Sequence, residues 1–442
     1  MPDLATPLTH AAADVLRAND RGEQTVAAPL LYPHQWSWDA AFVAIGWGTV
    51  SVPRALDELR HLLRGQWRTG MIPQILFSAE PGYFPGPQRW RTVGLAAAPS
   101  DVVTSGICQP AVHSLAVWII GEQAHRNGGA DAEAFDLFLA DTFDAWLAWH
   151  TWLDDARGTH PSGLIEIHHP WESGMDNSPR WDAACARVRV GEMAPYIRED
   201  TKHVADSGER PADADYDRYL WLVEQLVSVR YDDAAAREVI DFRVGDVFFT
   251  AVHALSADLL ARLGTRLGRT TEAATLREMA ARARAAVAAT VDPGTGHARD
   301  YDMRAGEWLT ASTIGGFAAL ICGAEPREYT RLVADLLGPA WCGHASLANP
   351  LPPTTSPDSP VFVSRNYWRG PQWPVITWLF TWALRHHGES EAADAIAAAG
   401  RRQLADGTFA EYYDAVSGAA LGSRDQSWTA AAALAWAAEE DA

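Results

Sequence analysis

Apolar residues along this 442-residue chain recur at steps of three and four rather than alternating, which predicts amphipathic helices nearly throughout. In the segment opened by Pro53, the residues Leu56, Leu59, Leu62, Leu63 and Trp67 share one face, with arginine and glutamate on the other. Phe135, Leu139, Phe143, Trp146, Trp149 and Leu153 repeat that spacing over several turns. The same reading places helices near 11–19 and 39–47, and over 110–125, 216–226, 246–263, 271–287, 313–322, 327–337, 374–387, 391–404 and 427–439. Strand-like stretches are short and few, at 72–77 and 164–168, so the alternation of a Rossmann fold or β/α barrel is not supported. About a dozen helices, apolar enough to pack on two sides and joined by long aromatic loops, predict an all-α (α/α)6 barrel, a closed double ring. The Pro-, Ser- and Thr-rich stretch 349–360 reads as an irregular surface connector.

Composition agrees with a packed globular protein, at 48% hydrophobic and 21% charged residues. The 36 Lys and Arg against 56 Asp and Glu give a net charge of −20, which opposes a polyphosphate backbone, so no nucleic-acid partner is expected. Met1-Pro-Asp-Leu4 carries no basic region ahead of an apolar core, and the longest unbroken apolar run, 430–438, is well short of the ~18–20 residues that cross a bilayer. The expectation is a cytoplasmic protein with no membrane partner. Cys108, Cys185, Cys322 and Cys342 are scattered, the pattern of buried thiols rather than of a zinc ribbon or a disulfide framework.

Where helices make the scaffold, loops carry the chemistry. Long loops crowded with tryptophan, carboxylates and glycine cover 32–39, 82–87, 169–182 and 365–373, and a shorter one covers 409–413. Of 20 tryptophans, Trp36, Trp38, Trp171, Trp368 and Trp373 stand in these polar loops, where flat aromatic faces beside hydrogen-bonding groups suit a sugar ring. Glu172, Asp176 and Asp182 are flanked by Trp171, Met175 and Trp181, surroundings that desolvate a carboxyl and raise its pKa toward that of a general acid. Each of the three fits that role or that of an ordinary loop carboxylate. Glu411, between Phe409 and Tyr412, is a second candidate, and two carboxylates across a cleft are the minimum for breaking a glycosidic bond. Arg210, Arg365 and Arg369 stand near aromatic residues and could each grip a substrate carboxylate with two parallel hydrogen bonds, or pair with the chain's own acids. His168-His169 lacks metal-ligand spacing, so no metal is expected, and no phosphate-loop, dinucleotide or nucleophile-elbow motif calls for a cofactor. Two competing readings stay open: a sugar epimerase or isomerase using histidines such as His34, His253 and His344, and a non-catalytic carbohydrate-binding protein.

Trp171-Glu-Ser-Gly-Met-Asp-Asn-Ser-Pro-Arg180 resembles the general-acid loop of glycoside hydrolase family 63. With Tyr32-Pro-His-Gln-Trp-Ser-Trp-Asp-Ala-Ala41, Ser105-Gly-Ile-Cys-Gln-Pro110, Tyr367-Trp-Arg-Gly-Pro-Gln-Trp-Pro374 and Phe409-Ala-Glu-Tyr-Tyr413, the likeness narrows to that family's bacterial hydrolases of glucosylglycerate and mannosylglycerate. It runs from Leu16 to Trp436. The resemblance implies an (α/α)6 catalytic barrel from 1–70, 106–165 and 216–442, with a small cap of inserted loops at 71–105 and 166–215. It implies cleavage of an α-glycoside, glucosylglycerate ahead of mannosylglycerate, with inversion. Asp176 takes the place of the general acid and Glu411 that of the general base, with carboxyl groups expected roughly 6.5–9.5 Å apart to admit a water. Tyr32, Trp36, Trp38, Asp39, Gln109, Trp171, Gly174, Trp368, Trp373 and Gln426 fall at sugar-subsite positions. Arg210, Tyr216 and Tyr367 fall near the glycerate, Arg210 pairing its carboxylate, and Tyr83 belongs to a candidate lid. Glu172 and Asp182 then become supporting residues, and the family analogy leaves a homo-oligomer open.

Overall fold

Twelve helical segments alternate between an outer and an inner position around a ring in the computed structural model, which describes residues 6–79, 83–202, 204 and 206–440. The inner set is Ser37–Val50, His113–Asn127, Val247–Arg266, a broken turn at Ile314–Phe317 and Ala319–Cys322, Pro374–His386, and Ser427–Glu440. Each packs on the next and the last returns to the first, which closes the ring. Pro7–Asn19, Val52–Arg64, Gly129–Trp152, Thr270–Ala289, Pro326–Leu337 and Ser390–Gln403 form the outer layer. The protein is an (α/α)6 barrel.

Side-chain pattern sorts the two layers. Val52–Arg64 is an outer helix: it buries Leu56, Leu59 and Leu62 and turns Asp57 and Arg60 to solvent. Ser51 caps it by accepting from the Arg54 amide, with Pro53 in the first turn. Burying each leucine is worth about 1.5–3 kcal/mol, so the face, more than helix propensity, fixes the element. Inner helices are buried over most of their surface, with polar residues gathered toward their C-terminal turns. Val247–Arg266 is long and apolar enough to cross a membrane, but here its side chains are packed inside the ring.

Among the described residues, three small antiparallel sheets sit where chain enters the inner helices. Gln35–Trp36 pairs with Ile75–Phe77, which pairs with Val103–Thr104. Ile165–Ile167, Val244–Asp246, Asp300–Asp302 and Glu307–Leu309 form the second sheet, and Tyr412–Tyr413 with Ala420–Leu421 the third. Between Trp152 and Val247 the chain makes a long excursion containing the helix Asp213–Ser228 and, unforeseen from periodicity, Asp233–Val239, which Asp232 caps.

Two expectations change. The helix read over 313–322 is a 3-10 turn followed by one α-turn, with Gly315 packed against Arg180 and Gly316 against His297. The stretch 349–360 is irregular as expected but not superficial. Residues 351–356 are buried: Gln372 donates to the Asn349 and Leu351 carbonyls, and Thr354 donates to that of Pro371. All four cysteines are buried free thiols. Met1–Leu4 and Gly82 lie outside the described residues.

Candidate active site

The loops that lead into inner helices converge on one mouth of the ring, so functional side chains arrive at helix N-termini. Trp38 and Asp39 stand in the first turn of Ser37–Val50, Gln109 shortly before His113, Trp368 before Pro374, and Gln426 beside Ser427. Together with Tyr32, Trp36, Tyr83, Trp171, Gly174, Asp176, Arg210, Tyr216, Tyr367 and Glu411 they line a single cavity. Trp373 does not line it. Its ring stacks behind Trp368 with centroids 3.7 Å apart and planes 6° off parallel, and its other face meets Tyr412, so it backs the aromatic wall. Gln74, Asp200 and Trp428 complete the lining and were not singled out from sequence. Gln74 lies in the strand-like stretch 72–77 and Trp428 in the helix read over 427–439, while Asp200 stands in a stretch with no motif at all.

The loop carrying Asp176 is fastened on both sides. Upstream, Glu172 is fully buried and takes two hydrogen bonds from Arg157, at 3.0 and 3.1 Å, and one from the His168 amide. Burial alone would raise the Glu172 pKa, but Arg157 outweighs it and holds the carboxyl below its usual range, as an anion. Downstream, Arg180 binds Asp246 at 3.0 Å and Asp300 at 2.9 Å, which ties the loop to the second sheet. Asn177 bonds Asn366 and accepts from the Trp368 amide, joining the two central loops. Arg369 holds Asp182 at the rim.

Gly174 adopts φ +69°, and a Cβ there would lie 2.5 Å from the Trp38 ring. Gly174→Ala therefore has to displace Trp38 from the cavity wall. We expect kcat/KM to fall roughly a hundredfold, the scale of a 1 Å misplacement, while circular dichroism stays helical.

Charges in the cavity are few and close-set. Glu411 Oε1 accepts from Tyr32 Oη at 2.8 Å and Arg210 Nη1 at 3.5 Å, and Oε2 accepts from the Ser423 amide at 3.0 Å. Burial pushes the Asp176 carboxyl up to about 7, against the pull of Arg210 and aided by the Glu411 charge. Burial and Glu411 likewise push Asp39 up to about 8. Near neutrality, then, the cavity offers carboxylic acids able to give a proton, beside a third carboxyl set in a ring of donors.

Other candidates are engaged elsewhere. Arg365 pairs with Glu209 at 2.7 Å, so among the three arginines only Arg210 reaches the cavity. His168 bonds Glu166, and His169 donates to the Tyr219 carbonyl. His253 bonds His150, His344 bonds Ser346, and His34 bonds Ser78. No histidine lines the cavity among the described residues, so the isomerase reading loses its reagents. A cavity of about 270 Å³ at the opposite end of the ring is lined by Trp118, Trp378 and Trp382, but its carboxylates Glu122 and Glu439 pair with Arg266 and Arg385.

A ring of helices with paired carboxyls under tryptophan and tyrosine faces defines a glycoside hydrolase. The profile described as "Mannosylglycerate hydrolase MGH1-like glycoside hydrolase domain" matches residues 32–429. The chain is 48% identical over 435 residues to the glucosylglycerate hydrolase of Mycolicibacterium hassiacum, covering 98% of each chain. It also superposes on the crystal structure of family 63 mannosylglycerate hydrolase from Thermus thermophilus in complex with Tris and D-glycerate, at TM-score 0.89 and 36% identity, covering 97% of this chain and 100% of that one. The same enzyme in complex with glucose superposes at TM-score 0.86, covering 98% of this chain and 100% of that one. This chain belongs to the MGH1-like glycoside hydrolases of family 63.

Proposed function

We propose that the protein hydrolyses α-glucosylglycerate to glucose and glycerate with inversion at the anomeric carbon, and accepts mannosylglycerate as a slower substrate. The observation that carries the reading is Arg210, a buried cation within the same cavity as Asp176 and Glu411, with Tyr216 and Tyr367 beside it. A guanidinium there gives a carboxylate-bearing leaving group its counter-charge, in a protein whose overall charge would repel it. The names of its relatives support both substrates, and the glucosylglycerate enzyme shares the greater identity of those compared.

In this reading Asp176, protonated near neutral pH, gives its proton to the glycosidic oxygen as the C–O bond breaks. Glu411 takes a proton from a water that attacks the anomeric carbon from the opposite face, so β-glucose and glycerate leave. Trp36, Trp38, Trp171 and Trp368 present ring faces to the sugar, and Asp39, Gln109 and Gln426 present polar groups to its hydroxyls. Segments 71–105 and 166–215 act as the cap: Phe84 from one stacks on Tyr196 from the other, 5.3 Å apart, and Tyr83 packs edge-on to Trp36.

Proton NMR of the purified protein with α-glucosylglycerate tests the reading directly. The β-anomer of glucose should appear first, and α-mannosylglycerate should turn over more slowly. Initial α-anomer would remove the inverting assignment, and no cleavage of either compound would remove the substrate.

A further inference from the structure

Arg210 has a second carboxylate partner besides Glu411, and it too lines the cavity. Asp200 Oδ2 accepts from Arg210 Nε at 3.4 Å, whereas Nη1 and Nη2 point to Glu411 and to the Tyr32 hydroxyl. Asp200 is itself held by Arg198, whose Nε and Nη2 bind its two oxygens at 3.0 and 2.7 Å. The four side chains Arg198, Asp200, Arg210 and Glu411 thus alternate in sign, and Asp200, Arg210 and Glu411 are each at most 5% exposed. Burial opposes the Asp200 charge, and the two arginines outweigh it, keeping its carboxyl below the usual range. The Arg210 backbone is fixed separately, its carbonyl accepting from Asn366 Nδ2 at 3.2 Å. What Asp200 adds is the orientation of the guanidinium.

We propose that Asp200 is the positioning residue that selects a carboxylate-bearing aglycone. By occupying Nε it turns both terminal amino groups of Arg210 into the cavity, where they can meet a substrate carboxylate as a fork. The inference rests on the proposed function, since it concerns how the glycerate end of that substrate is recognised.

The test compares wild type, Asp200→Asn and Asp200→Glu on α-glucosylglycerate and on the neutral α-glucosylglycerol, with D-glycerate binding followed by calorimetry. In Asp200→Asn the preference for the anionic substrate, as a ratio of kcat/KM values, should fall roughly tenfold or more through KM. D-Glycerate affinity should fall by a similar factor, and Asp200→Glu should recover part of both. A merely structural role would lower activity on both substrates equally and leave the ratio unchanged, which overturns the proposal. So would a tighter KM for α-glucosylglycerate in Asp200→Asn, because Asp200 would then act as a charge opposing the aglycone. Wild type that neither cleaves α-glucosylglycerate nor binds D-glycerate overturns the proposed substrate, and this inference with it. Wild type that does both, with the ratio kept in the variant, overturns the inference alone.

Discussion

Asp176→Asn is expected to lower turnover of the glycoside by about 10²–10⁴-fold, the usual range for loss of a general acid, while substrate still binds. The same group predicts the alkaline limb of the wild-type profile. With its pKa pushed up to about 7, Asp176 loses its proton as pH rises through that value, so with Asp176 as the proposed acid kcat/KM should decline above neutrality. Stability moves in a linked way. The carboxyl titrates near 4 in the unfolded chain and near 7 in the folded one, so the fold favours its protonated form. Its contribution is fully present below about pH 4 and is lost as pH rises through 7. Asparagine stays neutral throughout. The Tm of Asp176→Asn should therefore match wild type at pH 4 and below and exceed it at pH 8, measured by scanning calorimetry. A variant less stable than wild type at pH 8 would contradict the direction of that shift.

Much of the fold could be read in the sequence because helix periodicity is local, and the same holds for the tryptophan-rich loops. What escaped depends on contacts far apart in the chain. Trp373 and Trp368 share one motif, and only their stacking decides that one faces the cavity and the other supports it. Arg210, Arg365 and Arg369 look alike in sequence, yet Glu209 and Asp182 claim two of them, and tertiary packing alone assigns those partners. Gly315 and Gly316 keep the periodicity of a helix, and the close approach of Arg180 and His297 to them is a tertiary contact that periodicity does not carry. Proline, serine and threonine at 351–356 give the composition of a surface loop, but the Gln372 side chain donates to the Leu351 carbonyl and the Thr354 amide to that of Pro371, and the segment is buried. Asp200 was invisible for a related reason: its role exists only through its partners Arg198 and Arg210.

Glu411→Gln should remove hydrolysis as thoroughly as the acid variant, and the two separate on a substrate whose leaving group needs no proton. Fluoride departs from α-glucosyl fluoride without acid assistance, so Asp176→Asn should retain much of its activity on that compound. A base is still required, because the attacking water must lose a proton as it bonds to carbon, and Glu411→Gln should be inactive on fluoride and glycoside alike. The substitution keeps the side chain's length and an oxygen for Tyr32 to bond, but it puts an amide where Oε1 and Oε2 accept from Tyr32, Arg210 and Ser423. Gly422 leaves little room to relieve this, since a Cβ there would already lie 2.4 Å from Glu411 Oε2. A lower Tm for Glu411→Gln is therefore expected alongside the lost activity, opposite in sign to the alkaline gain in Asp176→Asn. If Glu411→Gln hydrolysed the fluoride and Asp176→Asn did not, the two carboxyl groups would exchange roles.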